Sequence, residues 1–298
     1  MLDSGIRSTH VDFQNKIIQR GKAFQTIIDN NRTLSYLESV YDDRVPGNGH
    51  GTFVASIVAG HGMSSSSNKI VIVPVVVVNS EGEGDSNTVL KATMFAIRHR
   101  NKNHRNMPSI LLICLSERQQ LPSAWMLSWL LHPIKPEPLD EAFRLAHVNG
   151  FATVVAAGNW SQDACYNRKS LPLPKSVIVV AASDKQKRAK YSNFGECVSL
   201  FAPGKTVAAS AQSDISTAMF EGTSVSAALV ARELIHFWNT TTTTTTNPVS
   251  TSAESVCSAF LERSTFIQQE YIQQMRCETD GNDVAICLNT TRRALVIP

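Results

Sequence analysis

No part of this sequence strings together the roughly 18 apolar residues that a membrane-spanning helix needs, so no transmembrane segment is expected. Charge of one sign is scarce as well: the formal net charge is +3 over 298 residues. So small and dispersed a surplus gives no case for nucleic acid as a partner. Cys114, Cys165, Cys197, Cys257, Cys277 and Cys287 are present, but no two stand in a CxxC pair. Zinc is therefore not expected, and no other cofactor is read from the chain. At the start, Met1 is followed at once by LDSGI, with neither a basic n-region nor an apolar h-region, so no signal peptide is read there.

What is present reads as an ordinary globular chain. The hydrophobic fraction is 43%, and the length suits one large domain or two small ones. We read a single domain over 1–298, with a core over 1–238. Strand and helix patterns alternate, which predicts an α/β fold on a mostly parallel sheet. KIVIVPVVVVN (69–79) is apolar on both faces, as a covered parallel strand should be. SNTVLKATMFAIRHR follows as a helix with Ser86 as its cap. SILLICL (109–115) is a strand in which Cys114 reads as a buried free thiol. LDEAFRLAHVNG (139–150) is a helix ended by Gly150. FATVVAA (151–157) and SVIVVAA (176–182) are strands, and TSVSAALVARELIHFW (223–238) is a long helix.

Two segments interrupt this rhythm. PSAWMLSWLLHPIKPEP (122–138) sets Trp125 and Trp129 four apart before prolines end the pattern, as in a packed flap or an exposed interaction patch. Thr240 to Thr246 is an unbroken threonine run, expected as a flexible surface loop. Beyond it, STSAESVCSAFLE (250–262) predicts a capped helix, and ETDGND predicts a turn between Cys277 and Cys287 that closes a hairpin in the tail. Sequons at Asn31, Asn239 and Asn289 would suit a secreted chain.

Four short stretches carry candidate chemistry. GNGHGTFVASIVAG (47–60) puts His50 between Gly49 and Gly51 at the mouth of an apolar helix. It reads either as a helix start capped by Asn48 or Thr52, or as a general base held neutral by the helix N-terminus. In the second reading the glycines let a substrate backbone come close. LDSGI places Asp3 before a tight turn, VVAAGNW (154–160) runs a strand into Asn159, and EGTSVSAALVA (221–231) puts Ser224 at a helix start. Singly, each also reads as a turn residue or a cap.

Taken together they resemble the subtilisin-like serine proteases, the subtilases, in the family's order of Asp, His and Ser. LDSGI resembles the aspartate motif, GHGTFVAS the histidine motif, EGTSVSA the serine motif and AAGN the segment bearing the oxyanion asparagine. The likeness runs in register over roughly 1–238. It implies a three-layer fold, helices covering both faces of the sheet. It implies a serine endopeptidase: Ser224 as nucleophile, His50 as base, Asp3 orienting the ring, and Asn159 in the oxyanion hole. Ser116, Glu117, Arg118, Ala157 and Gly158 fall at its substrate-facing positions. DACYNRKSLPLPKSVIVVAASD with KYSNFGECVSLFAPG is similar to the proteinase K group, some members of which link the cysteines found here as Cys165 and Cys197. A Cys277–Cys287 bridge is a further expectation. The resemblance also implies a monomer acting on polypeptides in an extracellular or vacuolar/lysosomal compartment.

The departures shape the expectation too. Subtilases usually begin well before the aspartate; here Met1 and Leu2 precede Asp3, which suggests a shortened strand and a propeptide missing from this chain. Ala227, Ala228 and Leu229 replace the family's small residue, proline and histidine, so a straighter helix start and a shifted Ser224 are expected. Glu117, Arg118 and Gln119 follow Ser116 where the family has Leu-Gly-Gly, and long side chains there would crowd the cleft. Ser199 stands where proteinase K-like members often place a calcium-binding aspartate, so no calcium site is predicted. The rival reading is a weak or inactive subtilase-fold protein that binds peptides or a protein partner. An unrelated α/β binding protein would scatter Asp3, His50 and Ser224.

Overall fold

Alternating burial along the central strands sets the architecture. In Phe151–Ala156, Ala152, Val154 and Ala156 enter one hydrophobic cluster, and Phe151 and Val155 enter another. In Val177–Asp184, Ile178 and Val180 go with the first, Val177 and Val179 with the second. A strand buried on both faces must be covered on both, which is the setting of parallel sheets. The computed structural model describes residues 1–14, 17–19, 21–24, 49–60, 70–78, 82–116, 137–165, 172–185, 187–244, 252–264 and 293–294.

In chain order the strands are β1 (Leu2–Asp3), β2 (Ile17–Ile18), β3 (Lys22–Ala23), β4 (Val71–Ile72), β5 (Val75–Val76), β6 (Ser109–Ile113), β7 (Phe151–Ala156), β8 (Val177–Asp184), β9 (Lys187–Arg188), β10 (Leu200–Pro203), β11 (Lys205–Ala209), β12 (Thr217–Glu221) and β13 (Arg293–Ala294). The helices are α1 (His50–Ala59), α2 (Ser86–Asn103), α3 (Pro138–Val148), α4 (Thr223–Thr244) and α5 (Ala253–Ser264). The main sheet runs β13-β10-β8-β7-β6-β1-β5-β3, parallel throughout, with β9 antiparallel on β8. Helices α1, α4 and α5 supply the first cluster, and α2 and α3 the second. This is the expected α/β fold, a mostly parallel sheet between helical layers.

Four local expectations change. KIVIVPVVVVN is two strands, not one. Pro74 separates β4, which pairs β2, from β5, which pairs β1 and β3. Proline gives no N–H to a ladder, and the backbone of Gly21 closes on its carbonyl, where no side chain would fit. The cap of α2 is Asp85 rather than Ser86: its carboxylate accepts from the Thr88 N–H at 2.9 Å and the Thr88 hydroxyl at 2.6 Å. The threonine run, expected as a loop, is helical through Thr244. The Thr240 hydroxyl donates to the carbonyls of His236 and Phe237, and that of Thr241 to Phe237, so the helix itself satisfies them. At α1 the cap is Gly49, not Asn48 or Thr52: its φ is 59°, and the Thr52 hydroxyl accepts the Arg7 N–H instead. Helix α3 stops as expected, with Gly150 at φ 74°.

Trp125, Trp129, Asn31, Asn289, Cys277, Cys287, Thr245 and Thr246 lie outside the described residues.

Candidate active site

The carboxyl ends of parallel strands and the starts of the following helices meet along one edge of the sheet. β1 ends at Asp3 there, and β7 leads into Ala157, Gly158 and Asn159. α1 starts at His50, and α4 presents Ser224 in its first turn.

His50 bridges two of these residues. Its Nδ1 lies 2.7 Å from Asp3 Oδ1 and its Nε2 lies 3.1 Å from Ser224 Oγ. A carboxylate only accepts, so Nδ1–H donates to Asp3 and Nε2 accepts from the serine hydroxyl. The ring in the middle is more exposed than the groups on either side of it. Asp3 is 1% exposed, the His50 side chain 32%, and Ser224 6%. Asp3 Oδ1 also accepts the Ser4 N–H at 2.8 Å, which holds the carboxylate in place. Without that proline, the Ser224 hydroxyl is still within hydrogen-bond reach of the ring.

The two glycines beside His50 act differently from the sequence expectation. A side chain on Gly51 would run into the backbone of Gly5, and one on Gly49 into Ala211. The chain's own segments fill both spaces. Gly51 lets the turn after β1 lie directly on α1, where the Ser4 hydroxyl accepts the Gly51 N–H at 2.9 Å. That contact brings Asp3 to the ring. Behind His50, the Phe53 ring packs edge-on at 4.7 Å between centroids and stacks on Phe220 at 4.0 Å.

Asn159 is anchored from one side. Its Oδ1 accepts both the N–H and the hydroxyl of Thr223, each at 2.9 Å, leaving Nδ2 as the amide's donor end. Gly222, φ 149°, puts no side chain over Nδ2. The Thr223 hydroxyl also accepts the Gly158 N–H at 3.1 Å, tying β7's exit to the start of α4. Asn193 braces the same segment: its Nδ2 donates to Ala157 O at 2.9 Å, and its Oδ1 accepts the N–H groups of Trp160 and Gln162. Thr223, Asn193, Ser4 and Phe53 carry no motif in the sequence that marks them as site residues. Their roles depend on partners remote in sequence; the one local hint is that Thr223 adjoins Ser224.

Ser116 lies beside Gly158, where an added Cβ would stand 2.8 Å from the Ser116 hydroxyl. Ala157 and Gly158 are buried. Glu117, Arg118 and Gln119 lie outside the described residues. Cys165 and Cys197 form a disulfide, with Cα atoms 5.3 Å apart, and Cys114 and Cys257 are free and buried. Burial pushes the Cys114 thiol well up, with the nearby Asp3 charge adding to it, and burial pushes Cys257 up to about 12. Among the described residues, no three His, Cys, Asp or Glu side chains converge as metal ligands.

A second histidine–serine contact shows what the site needs beyond distance. His147 Nδ1 lies 2.9 Å from Ser176 Oγ, but Ser176 is fully buried and no substrate carbonyl could reach it. Of the two pairs, the His50–Ser224 pair alone has a partly exposed ring backed by a buried carboxylate.

Residues 1–266 match the family model described as the Subtilase family, Peptidase_S8. Cerevisin of Saccharomyces cerevisiae is 30% identical over 240 residues, 80% of this chain and 33% of that protein. The subtilisin-like serine protease Rho m 2.0101 of Rhodotorula mucilaginosa is 30% identical over 238 residues, 80% of this chain and 61% of that protein. The chain thus spans between a third and about three-fifths of these relatives. Among solved structures, a cold-adapted subtilisin-like serine proteinase superposes with a TM-score of 0.66 at 21% identity, covering 99% of this chain and 86% of that one. Sphericase does so with a TM-score of 0.61 at 20% identity, covering 88% and 81%. These likenesses support the fold.

Proposed function

Because the chain belongs to the subtilase family, we propose that it is a serine endopeptidase whose nucleophile is Ser224. The observation that carries this reading is the placement of Asp3 and Ser224 on the two different nitrogens of one imidazole. Ser224 Oγ attacks the scissile carbonyl as its proton passes to His50 Nε2. The resulting imidazolium is stabilised by Asp3, which keeps Nδ1–H in place. The carbonyl oxygen becomes an oxyanion facing Asn159 Nδ2 and the Ser224 backbone N–H. His50 then returns its proton to the leaving amine, and water repeats the cycle on the acyl-enzyme.

The substrate is a polypeptide, its backbone lying along the segments of Ser116 and of Ala157 and Gly158. The Cys165–Cys197 bridge favours an oxidising compartment, extracellular or vacuolar, where the protein acts as a monomer. The test is digestion of an unfolded, casein-like protein by the full chain and by Ser224→Ala. Cleavage that Ser224→Ala abolishes supports the reading. A parent without cleavage, or a variant that cleaves equally well, contradicts it. A parent that binds such a chain without cutting it would favour the non-catalytic rival.

A further inference from the structure

Two imidazoles that the proposed chemistry does not use converge on one atom. His99 Nε2 lies 3.0 Å from Gln19 Oε1, and His104 Nε2 lies 2.9 Å from the same oxygen. His99 stands in the last turns of α2, and His104 is the residue that ends it. Gln19 comes from a remote part of the chain, just after β2, where its N–H donates to the Ile72 carbonyl of β4 at 2.9 Å. The Phe95 ring packs against that of His99 at 5.7 Å between centroids. All three side chains are half-buried, so the fold restrains them while solvent still reaches them.

This donor set has a definite chemistry. Neutral imidazole is the commonest protein ligand for zinc and its transition-metal neighbours. Two imidazoles on one tetrahedral ion, each at ~2.0–2.1 Å, have ring centres roughly 5 Å apart. The centres of His99 and His104 are 5.9 Å apart, so the rings need to close by only about 1 Å. Each ring then carries its proton on Nδ1 and turns the Nε2 lone pair toward the ion, while Gln19 Oε1 accepts as before. Charge alone does not attract a cation here. Arg98, Lys102 and Arg105 stand exposed on the same stretch, and among the described residues no carboxylate joins the two histidines. Calcium and magnesium need oxygen ligands and are disfavoured. An ion held by coordination to nitrogen is not, and the free carbonyls at the end of α2 favour positive charge.

We propose that His99, His104 and Gln19 form a binding site for zinc or a like divalent transition metal, with water completing its coordination. The lack of CxxC pairs argues against thiolate-bound zinc and does not bear on an imidazole site. The site is structural rather than catalytic. β6 starts at Ser109, shortly after His104, so the pair lies at the amino edge of the parallel sheet, whereas Asp3 and Asn159 follow the carboxyl ends of their strands. A bound ion ties the end of α2 to the segment after β2 and leaves the Ser224–His50 pair untouched.

The experiment is a zinc titration of the chelator-stripped full chain, read by isothermal calorimetry and thermal unfolding, beside His99→Gln, His104→Gln and His236→Gln. His236 is an exposed histidine on α4 and serves as the control. With free zinc at about ten times the dissociation constant, the parent and His236→Gln should gain about 3 °C or more in Tm. His99→Gln and His104→Gln should lose that gain and bind zinc at least tenfold more weakly. Calcium should give no gain that depends on His104. A parent that binds no zinc, equal zinc affinity in the parent and both α2 variants, or a calcium gain lost with His104 overturns the proposal. If a variant does not fold, ring-proton NMR of the parent decides: zinc must shift the His99 and His104 signals, and a shift of His50 alone overturns the site. None of these readouts depends on peptide cleavage, so failure here is distinct from failure of the proposed activity.

Discussion

Thr223 donates twice to a single atom of Asn159, once from its backbone N–H and once from its hydroxyl. That pairing sets which end of the amide is the donor before any substrate arrives. An oxyanion donor is effective when it is already aimed, because nothing then has to reorganise in the transition state.

Thr223→Val keeps the backbone donor and the side-chain shape but loses the hydroxyl, which also accepts the Gly158 N–H. We expect kcat to fall about tenfold with KM little changed, the equivalent of roughly 1.4 kcal/mol of transition-state stabilisation. Thr223→Ser should restore most of it. Asn159→Leu removes the donor itself and should cost about 3–4 kcal/mol, a magnitude measured in subtilisin, a member of the same family. Steady-state kinetics on a peptide amide check both. A Thr223→Val variant that changes KM alone would show that Thr223 shapes the cleft rather than the amide.

The disulfide makes a separate prediction. Cys165 and Cys197 close a loop over a sequence separation of 32, for which chain entropy suggests ~3–4 kcal/mol. Replacing both by serine should lower Tm by roughly 6–12 °C. Cys114 and Cys257 are buried and their thiols are pushed up by that burial. They should resist alkylation at neutral pH in the native protein and react once it unfolds. Peptide mapping after labelling reads each site, and rapid native labelling of Cys257 would contradict its burial on the inner side of α5.

His99 supports a prediction about acid stability. Burial holds its pKa below the usual histidine range, and the neighbouring His104 adds to the effect. Both rings donate from Nε2 to Gln19 Oε1, at 3.0 and 2.9 Å. The sign follows from which state takes the proton. Below about pH 6.5 the unfolded chain binds it and the folded chain resists, so stability is lost as pH falls through that value. His99→Gln removes this uptake, so the drop in Tm between pH 7.5 and pH 5 should be smaller in the variant than in the parent. An unchanged drop would place the acid sensitivity elsewhere.

Much of the candidate site was legible because each candidate residue sits at the boundary of an element with a strong local pattern. Asp3 ends an apolar pair, His50 and Ser224 open apolar helices, and Asn159 follows a strand. Several of the errors depend on a distant partner, whereas the cap of α2 depends on a local one. Pro74 divides a uniform valine run because β4 and β5 join different neighbours. Asp85 and Ser86 are adjacent capping types, and the carboxylate prevails because its two oxygens serve both donors of Thr88. The use of Gly51 depends on Gly5, and the brace on Ala157 to Gln162 comes from Asn193, neither of which any spacing rule connects.

On the proposed reading, His50 activates Ser224. Incubation with a fluorophosphonate followed by peptide mass spectrometry tests it most directly. A single phosphonyl adduct is expected on Ser224 in the parent chain, and its loss in His50→Ala with the fold intact by circular dichroism. An unlabelled Ser224 in folded parent protein, or equal labelling in His50→Ala, would contradict it.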